Sequence, residues 1–283
     1  MVAGGLNEPA RSGGTYAARM DLQLDGKTAL VTGGSRGIGR AIARRLATEG
    51  VRVAISARTA DVVAATAAAL RDETGGEVVG IVADTGTCDG VTRMVDEAVA
   101  AFGAPLQILV NNAATAAGRA NPPSLADITR DALLREIDIK VLGYLFGAQA
   151  VAPAMREAGW GRIINIAGLA ARTTGSTIGS IRNVSVAALT KNLADELGGA
   201  GITVNCVHPG MTRTVRSADV TDADAVAQAA RIEELIPRIN TVKRMIDDDD
   251  LAPLVAFLAS PLSFVINGEM IDAGGGTPGT IRY

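Results

Sequence analysis

Eight residues between two apolar runs hold the clearest chemistry in the sequence: Thr32-Gly33-Gly34-Ser35-Arg36-Gly37-Ile38-Gly39. Glycines at that spacing let a backbone turn tightly and present its N–H groups, with the N-terminus of a following helix, to a pyrophosphate. Thr28-Ala29-Leu30-Val31 ahead of the turn reads as a strand, and Gly39 to Ala47 after it as a helix with Ile42 and Leu46 four apart. A glycine turn in that setting points to a dinucleotide site. Arg36 lies inside the turn, and Ala57-Arg58 closes the next strand, where an acidic residue would otherwise hold a ribose 2′-hydroxyl. Guanidinium groups bind a 2′-phosphate by charge-assisted hydrogen bonds, so the expected cofactor is NADP(H) rather than NAD(H).

Further along, Arg172, Thr173, Thr174, Ser176, Thr177, Ser180, Arg182, Asn183 and Ser185 crowd one segment after the fifth apolar strand. Arg172 and Arg182 have the chemistry to clamp an anionic substrate or to stabilise a developing oxyanion. His208, the single histidine, precedes Pro209-Gly210 and either reaches the cofactor cleft or packs at a strand end. The run Asp247 to Asp250 resembles a metal cluster, but four acids ahead of apolar Leu251 fit better as caps on a helix N-terminus. No metal is expected.

The elements that must position these residues follow from the hydrophobic pattern. Apolar runs at Arg52–Ser56, Val78–Val82, Ile108–Val110, Arg162–Ile166, Thr203–Val207 and Met270–Asp272 join the first strand, with helical stretches between them. They are apolar throughout rather than alternating, as in a parallel sheet covered on both faces. The predicted fold is α/β: a single doubly wound Rossmann-type domain, residues 21–283, around a seven-stranded, mostly parallel sheet with helices on both faces. Val141 to Met155 reads as a buried core helix. Val215 to Arg244 is polar, lacks a strand signal, and is expected to be a lid over a substrate pocket. Residues 1–20 read as a flexible extension, with Met20 an alternative start.

Composition narrows the function classes. The chain has 283 residues with 27 basic and 30 acidic side chains, a formal charge of −3, which argues against nucleic acid as a partner. Two cysteines and one histidine cannot form a disulfide framework or a zinc site. No apolar run approaches the length of about 18 residues that spans a bilayer, and the first twenty residues lack the apolar stretch of a signal peptide. A cytoplasmic protein with a small-molecule substrate is expected.

Taken in order, the motifs resemble the short-chain dehydrogenase/reductase family over about Asp21 to Gly276. They are TGGSRGIG at Thr32–Gly39, Asp84 after the third strand, NNAA at Asn111–Ala114, GRIINIAG at Gly161–Gly168, LTKNLADEL at Leu189–Leu197 and NCVHPGMTRT at Asn205–Thr214. The resemblance implies a carbonyl or alcohol oxidoreductase. Its cofactor set is Gly33, Ser35, Arg36, Gly37, Ile38, Gly39, Arg58, Asp84, Thr85, Asn111, Asn112, Ala113, Pro209, Gly210, Thr212 and Thr214. It also implies a homo-oligomer, tetramer or dimer, paired through the helices around Leu133–Met155 and Val184–Leu197.

The family's Ser-Tyr-Lys-Asn group is not here. By resemblance the serine position falls on Gly168 and the asparagine position on Lys140. The tyrosine and lysine positions fall on Gly179 and Asn183 when counted back from Leu189, or near Ile181 and Ser185 when counted forward from Gly168. The tyrosines are Tyr16, Tyr144 and Tyr283, and no lysine lies between Lys140 and Lys191, so neither register restores the motif. Candidate catalytic residues are therefore Lys140, Arg172, Arg182 and Asn183. Lys140 is either a working amine with a lowered pKa or a filler paired with an acid. Three readings follow: an NADP(H)-dependent oxidoreductase with an unconventional proton donor, a lyase- or isomerase-type enzyme using Lys140, or a catalytically silent nucleotide-binding subunit.

Overall fold

A computed structural model of the chain describes residues 20–115, 122–214, 234–236, 238–279 and 281. Residues 1–19 of the expected flexible extension (1–20), and 215–233 and 237 of the expected lid (215–244), lie outside the described residues. Seven strands form one parallel sheet: β1 (Thr28–Thr32), β2 (Arg52–Ala57), β3 (Val78–Val82), β4 (Ile108–Asn111), β5 (Gly161–Ile166), β6 (Ile202–Pro209) and, after a separate two-stranded ribbon, β9 (Met270–Ala273). Their order is β3-β2-β1-β4-β5-β6-β9. The order reverses between β1 and β4, which opens a crevice beyond the carboxyl ends of those strands. Every strand of the sequence prediction is present.

Helices cover both faces because the central strands have no polar face to offer water. All residues of β1, β4, β5 and β6 are buried. One face packs under α1 (Gly37–Thr48), α2 (Ala60–Thr74) and α7 (Asp248–Ala259), with Ile42, Leu46, Leu70, Val255 and Leu258 in its core. The other packs under α3 (Cys88–Phe102), α5 (Gly143–Ala158) and α6 (Thr177–Leu197), with Met94, Phe102, Val151, Met155 and Leu197 inside. Cutting one of these large side chains to alanine costs about 2–5 kcal/mol.

Two departures from the predicted elements matter for the site. The helix expected from Val141 is preceded by α4 (Arg130–Glu136) and a π-turn, Ile137–Leu142, that carries Lys140. Such turns widen a helix and re-aim its side chains, and hydrophobic period alone does not reveal them. The short ribbon β7 (Thr212–Arg213) with β8 (Ile246–Asp247) ties the end of the NCVHPGMTRT stretch to the start of α7. The acidic run behaves as caps: Asp250 Oδ2 accepts from the Asp247 N–H at 2.9 Å, while Arg213, Arg44 and Arg244 pair with Asp247, Asp249 and Asp250. No helix among the described residues is long and apolar enough to cross a membrane.

Candidate active site

The glycine turn sits between β1 and α1, against the NNAA loop after β4. Gly33 and Gly37 have φ of +65° and +52°, backbone that side chains rarely tolerate. A Cβ on Gly39 would fall on the Gly33 carbonyl oxygen and the Asn112 side chain. Asn112 holds the turn from the other side, with Nδ2 donating to the carbonyls of Thr32 (3.0 Å) and Gly33 (3.1 Å). The Asn112 and Ala113 N–H groups donate to Thr32 Oγ1 at 2.9 and 3.0 Å. Thr214 packs on Gly37, where a Cβ would approach its Cγ2 to 2.9 Å. The first N–H groups of a helix such as α1 have no intrahelical partners, and this turn puts them at the β1–α1 junction, the kind of place where phosphates bind.

Arg36 and Arg58 stand exposed at the rim, and among the described residues neither pairs with a carboxylate. Both are available to a phosphate. Asp84 is also exposed, its Oδ1 accepting from the Gly86 N–H at 3.0 Å, with Thr85 buried behind it. Asn111 turns the other way. Its Nδ2 donates to Asn165 Oδ1 (2.9 Å) and to the Tyr144 carbonyl (3.3 Å), and Asn165 Nδ2 donates to Thr190 Oγ1 (3.0 Å). The strand register explains this, because Asn111 and Asn165 are direct neighbours on β4 and β5. Asn111 thus leaves only its backbone at the crevice. Pro209 and Gly210 close β6, and Gly210 packs against Gly274 and Leu169, with Thr212 Oγ1 donating to the Gly210 carbonyl at 3.1 Å.

Three side chains from three elements converge on Ala167 and Gly168, just past the end of β5. Lys140 Nζ, from the π-turn, donates to the Ala167 carbonyl at 2.8 Å. His208, from β6, brings Nδ1 within 3.0 Å of the Gly168 carbonyl and 3.3 Å of its N–H. Asn183, from α6, lies so close that a Cβ on Gly168 would be 3.1 Å from its Nδ2. The start of α6 decides this last contact: Ser176 Oγ caps the helix by accepting from the Gly179 N–H at 3.1 Å. That start turns Gly179 and Asn183 inward. Ile181 is 42% exposed, and Ser185 Oγ donates back to the Ile181 carbonyl of its own helix. Of the residues offered by the two counts, Asn183 is the one whose side chain lies against Gly168, while Gly179 packs on Ser176 and Ala170.

Lys140 is only 3% exposed; its amine bonds a backbone carbonyl, and among the described residues it forms no ion pair with an acid. Burial first, and the Arg182 guanidinium second, push its pKa down from 10.5 to about 7. Arg182 is itself paired, through NH1, with Glu136 at the end of α4. Tyr144, the tyrosine among the described residues, donates its hydroxyl to the Ile166 carbonyl at 2.9 Å. Burial raises its pKa well above 10, so it is a fixed strut. Burial likewise holds Cys206 as a thiol, its pKa raised to about 12. Arg172 is engaged elsewhere, with Nε on Asp272 Oδ1 (3.0 Å) and NH2 on the Met270 carbonyl (3.3 Å), tying the loop after β5 to β9. Of the four predicted catalytic residues, Lys140, Arg182 and Asn183 gather at one place and Arg172 does not.

Glu136 is the group that sequence reasoning missed. Its spacing of four from Lys140 was visible, but nothing in the sequence tells that it bonds Arg182, 46 residues away, rather than the lysine.

An α/β sheet with a glycine cradle at its switch point, and buried proton-carrying groups at the next strand ends, defines a nucleotide-dependent oxidoreductase scaffold. Comparison with known proteins agrees. A family model described as enoyl-(acyl carrier protein) reductase matches residues 33–277. NADPH-dependent aldehyde reductase 2, chloroplastic, from Arabidopsis thaliana is 36% identical over 267 residues, covering 90% of this chain and 95% of that protein. Dehydrogenase/reductase SDR family member 4 from Oryctolagus cuniculus is 35% identical over 259 residues, covering 90% and 95%. The crystal structure of L-sorbose reductase from Gluconobacter frateurii, complexed with NADPH and L-sorbose, superposes with a TM-score of 0.83 at 27% identity, covering 93% of this chain and 100% of that one. The chain belongs to the short-chain dehydrogenase/reductase family.

Proposed function

We propose that this protein is an NADP(H)-dependent oxidoreductase that interconverts a carbonyl and an alcohol, with Lys140 moving the proton that a tyrosine moves in its relatives. One observation carries the reading. The Lys140 amine lies on Ala167, next to Gly168, at the strand end that borders the crevice, and its pKa is lowered to about 7. A general acid or base works best when its pKa is near the working pH. An ordinary lysine, with a pKa of 10.5, would hold its proton too firmly.

The residues present fit the cofactor. The glycine cradle and α1 N-terminus would hold the pyrophosphate, Arg36 and Arg58 the 2′-phosphate, and Asp84 with Thr85 the adenine side. The Asn112–Ala113 loop, Pro209, Gly210, Thr212 and Thr214 would border the nicotinamide. When bound, NADP(H) supplies or takes up the hydrogen at carbon. In reduction, Lys140 as ammonium gives its proton to the substrate oxygen, directly or through one water, and the amine regains a proton from solvent. In oxidation, the neutral amine takes the hydroxyl proton. Asn183 and the Gly168 backbone would orient the oxygen, a role for which Gly168 has no hydroxyl.

A neutral buried amine is also the chemistry of a Schiff base, which is the second reading. One set of assays separates them. NADPH oxidation with a panel of aldehydes and ketones is expected, and Lys140→Asn should reduce turnover by about 10²–10⁴-fold while NADPH affinity by calorimetry stays within about twofold. Carbonyl-dependent trapping of Lys140 by borohydride, without NADPH oxidation, would replace the redox reading with the second. Retained turnover in Lys140→Asn would remove Lys140 from both.

The reading extends to a homo-oligomer, dimer or tetramer, in the cytoplasm. Val184 on α6 is 51% exposed, and Leu134 on α4 is also exposed, as expected for helices that pair with a second copy. Both cysteines are free thiols, which suits a reducing compartment. Light scattering on the purified chain tests the assembly; a monomer would remove it.

A further inference from the structure

The Lys140 amine is buried, so its charge depends on the few groups packed around it. From α6 comes Arg182, with a side chain 11% exposed; from the end of α4 comes Glu136, 17% exposed. From β6 come the Cys206 thiol, and His208, which is held against Gly168. From α5 comes the Tyr144 phenol, held on the Ile166 carbonyl. Cys206 and Tyr144 both stay protonated in neutral solution, since burial raises both. The ion pair in this set is Arg182 with Glu136.

Their arrangement is unusual for a helix. Glu136 and Lys140 are four apart, the spacing at which an acid and a base on one helix normally meet. Here Lys140 lies in the π-turn Ile137–Leu142 that begins right after Glu136, Glu136 bonds Arg182 instead, and Lys140 reaches the Ala167 carbonyl. Arg182 has no second hold: its buried Nε has no partner among the described residues. The guanidinium is thus kept near the amine and kept half-neutralised by one carboxylate.

We propose that the Glu136–Arg182 pair is the positioning device that sets whether Lys140 carries its proton. Burial already disfavours the ammonium, and Arg182 adds repulsion to it. Glu136 offsets Arg182 and so stops the amine from losing its proton altogether. In Lys140-dependent reduction the amine must be charged when substrate arrives; in oxidation it must be neutral. A pair of opposite, fixed charges holds it between those states. The proposal rests on the proton-transfer reading of Lys140, and the test separates the two.

The first measurement needs neither nucleotide nor turnover. The rate at which acetic anhydride acetylates Lys140, followed by mass spectrometry against pH, reports the neutral amine and so its midpoint. That midpoint is expected near 7 in the native protein. Glu136→Gln should lower it by roughly one pH unit or more, and Arg182→Gln should raise it by a similar amount. The double variant should return to within about half a unit of the native value, because both charges are gone. Glu136→Asp, which keeps the charge, should stay within about half a unit. The second measurement is the pH profile of kcat/KM for NADPH-driven reduction, whose falling limb should move in the same direction as each amine midpoint.

Midpoints that do not move, or that move the same way in Glu136→Gln and Arg182→Gln, overturn the proposal. So does an equal displacement in Glu136→Asp, which would assign the pair to packing alone. If Lys140 resists acetylation, the falling limb of the pH profile decides by the same criteria. Midpoints that move as expected while no carbonyl is reduced would instead overturn the redox reading and leave the charge-setting pair in place.

Discussion

The two ends of the crevice are built differently. At the β1–α1 end, binding rests on backbone: N–H groups, a helix N-terminus and glycines packed until a Cβ on Gly39 would strike the Gly33 carbonyl. At the β5–α6 end the arrangement rests on side chains: Lys140, His208 and Asn183, from three elements, converge on Ala167 and Gly168. A backbone cradle admits few substitutions, because a Cβ on Gly39 collides with main chain and those on Gly34 and Gly37 with packed side chains. A strand-end side chain can be replaced while the strand remains, provided its buried polar atoms find partners. Lys140 meets that condition through the Ala167 carbonyl. Function on this scaffold can therefore drift at one end while nucleotide binding persists at the other.

The largest effect that would sharpen the contrast is expected at Gly39. Gly39→Ala forces the turn and the Asn112 loop apart at about 1–3 kcal/mol, and NADPH affinity should fall about ten- to hundredfold. Unchanged affinity in a fluorescence titration would show that the cradle is looser than the close contacts imply. Next is Arg58→Asp. Losing one charge-assisted contact to a 2′-phosphate should weaken NADPH about tenfold and leave NADH nearly as it was. Parallel losses for both nucleotides would move the 2′-phosphate contact away from Arg58.

At the other end, Lys140→Met should stabilise the protein, with a pH dependence of known sign. The amine titrates near 7 when folded and near 10.5 when unfolded, so between those values the unfolded chain binds more protons. Native stability should rise with pH across that window, and the penalty is full below pH 7. Lys140→Met removes the penalty but also the bond to Ala167. The melting temperature should gain about 2–6 °C at pH 6, and the gain should shrink toward pH 10. A gain independent of pH would mean that charge burial is not its source. The smallest effect is a null result. Gly179→Tyr with Asn183→Lys should yield no turnover above the parent, because a Cβ at position 179 lies 2.8 Å from the Ser176 hydroxyl that caps α6. Lys140 would also set a second cation beside the new lysine. A clear gain in the NADPH assay would break the contrast, by showing that the side-chain end was only depleted and not rebuilt.

Much of this was legible before any coordinates. The seven strands and the glycine turn come from local patterns, apolar runs and glycine spacing, which a parallel sheet and a phosphate cradle demand of any sequence that forms them. The positions of the tyrosines, and the lack of a lysine between Lys140 and Lys191, were a matter of counting. The acidic run resolved into caps for the same local reason. Less was legible where partners are distant in sequence. Arg172 and Arg182 looked alike, yet the fold spends one on Asp272 and sets the other beside Lys140.

Residue types, spacing and period thus determined by themselves the doubly wound sheet and the glycine turn that opens its first helix. The apolar runs and glycine spacing that signal them are local patterns in the sequence. Only the tertiary structure decided which way α6 faces, that a π-turn carries Lys140 onto Ala167, and that Glu136 bonds Arg182 rather than the lysine four residues on. Desolvation and through-space charge act on what lies within a few ångströms, whatever the separation along the chain, and so the proton affinity of Lys140 belongs to the fold and not to its sequence neighbours.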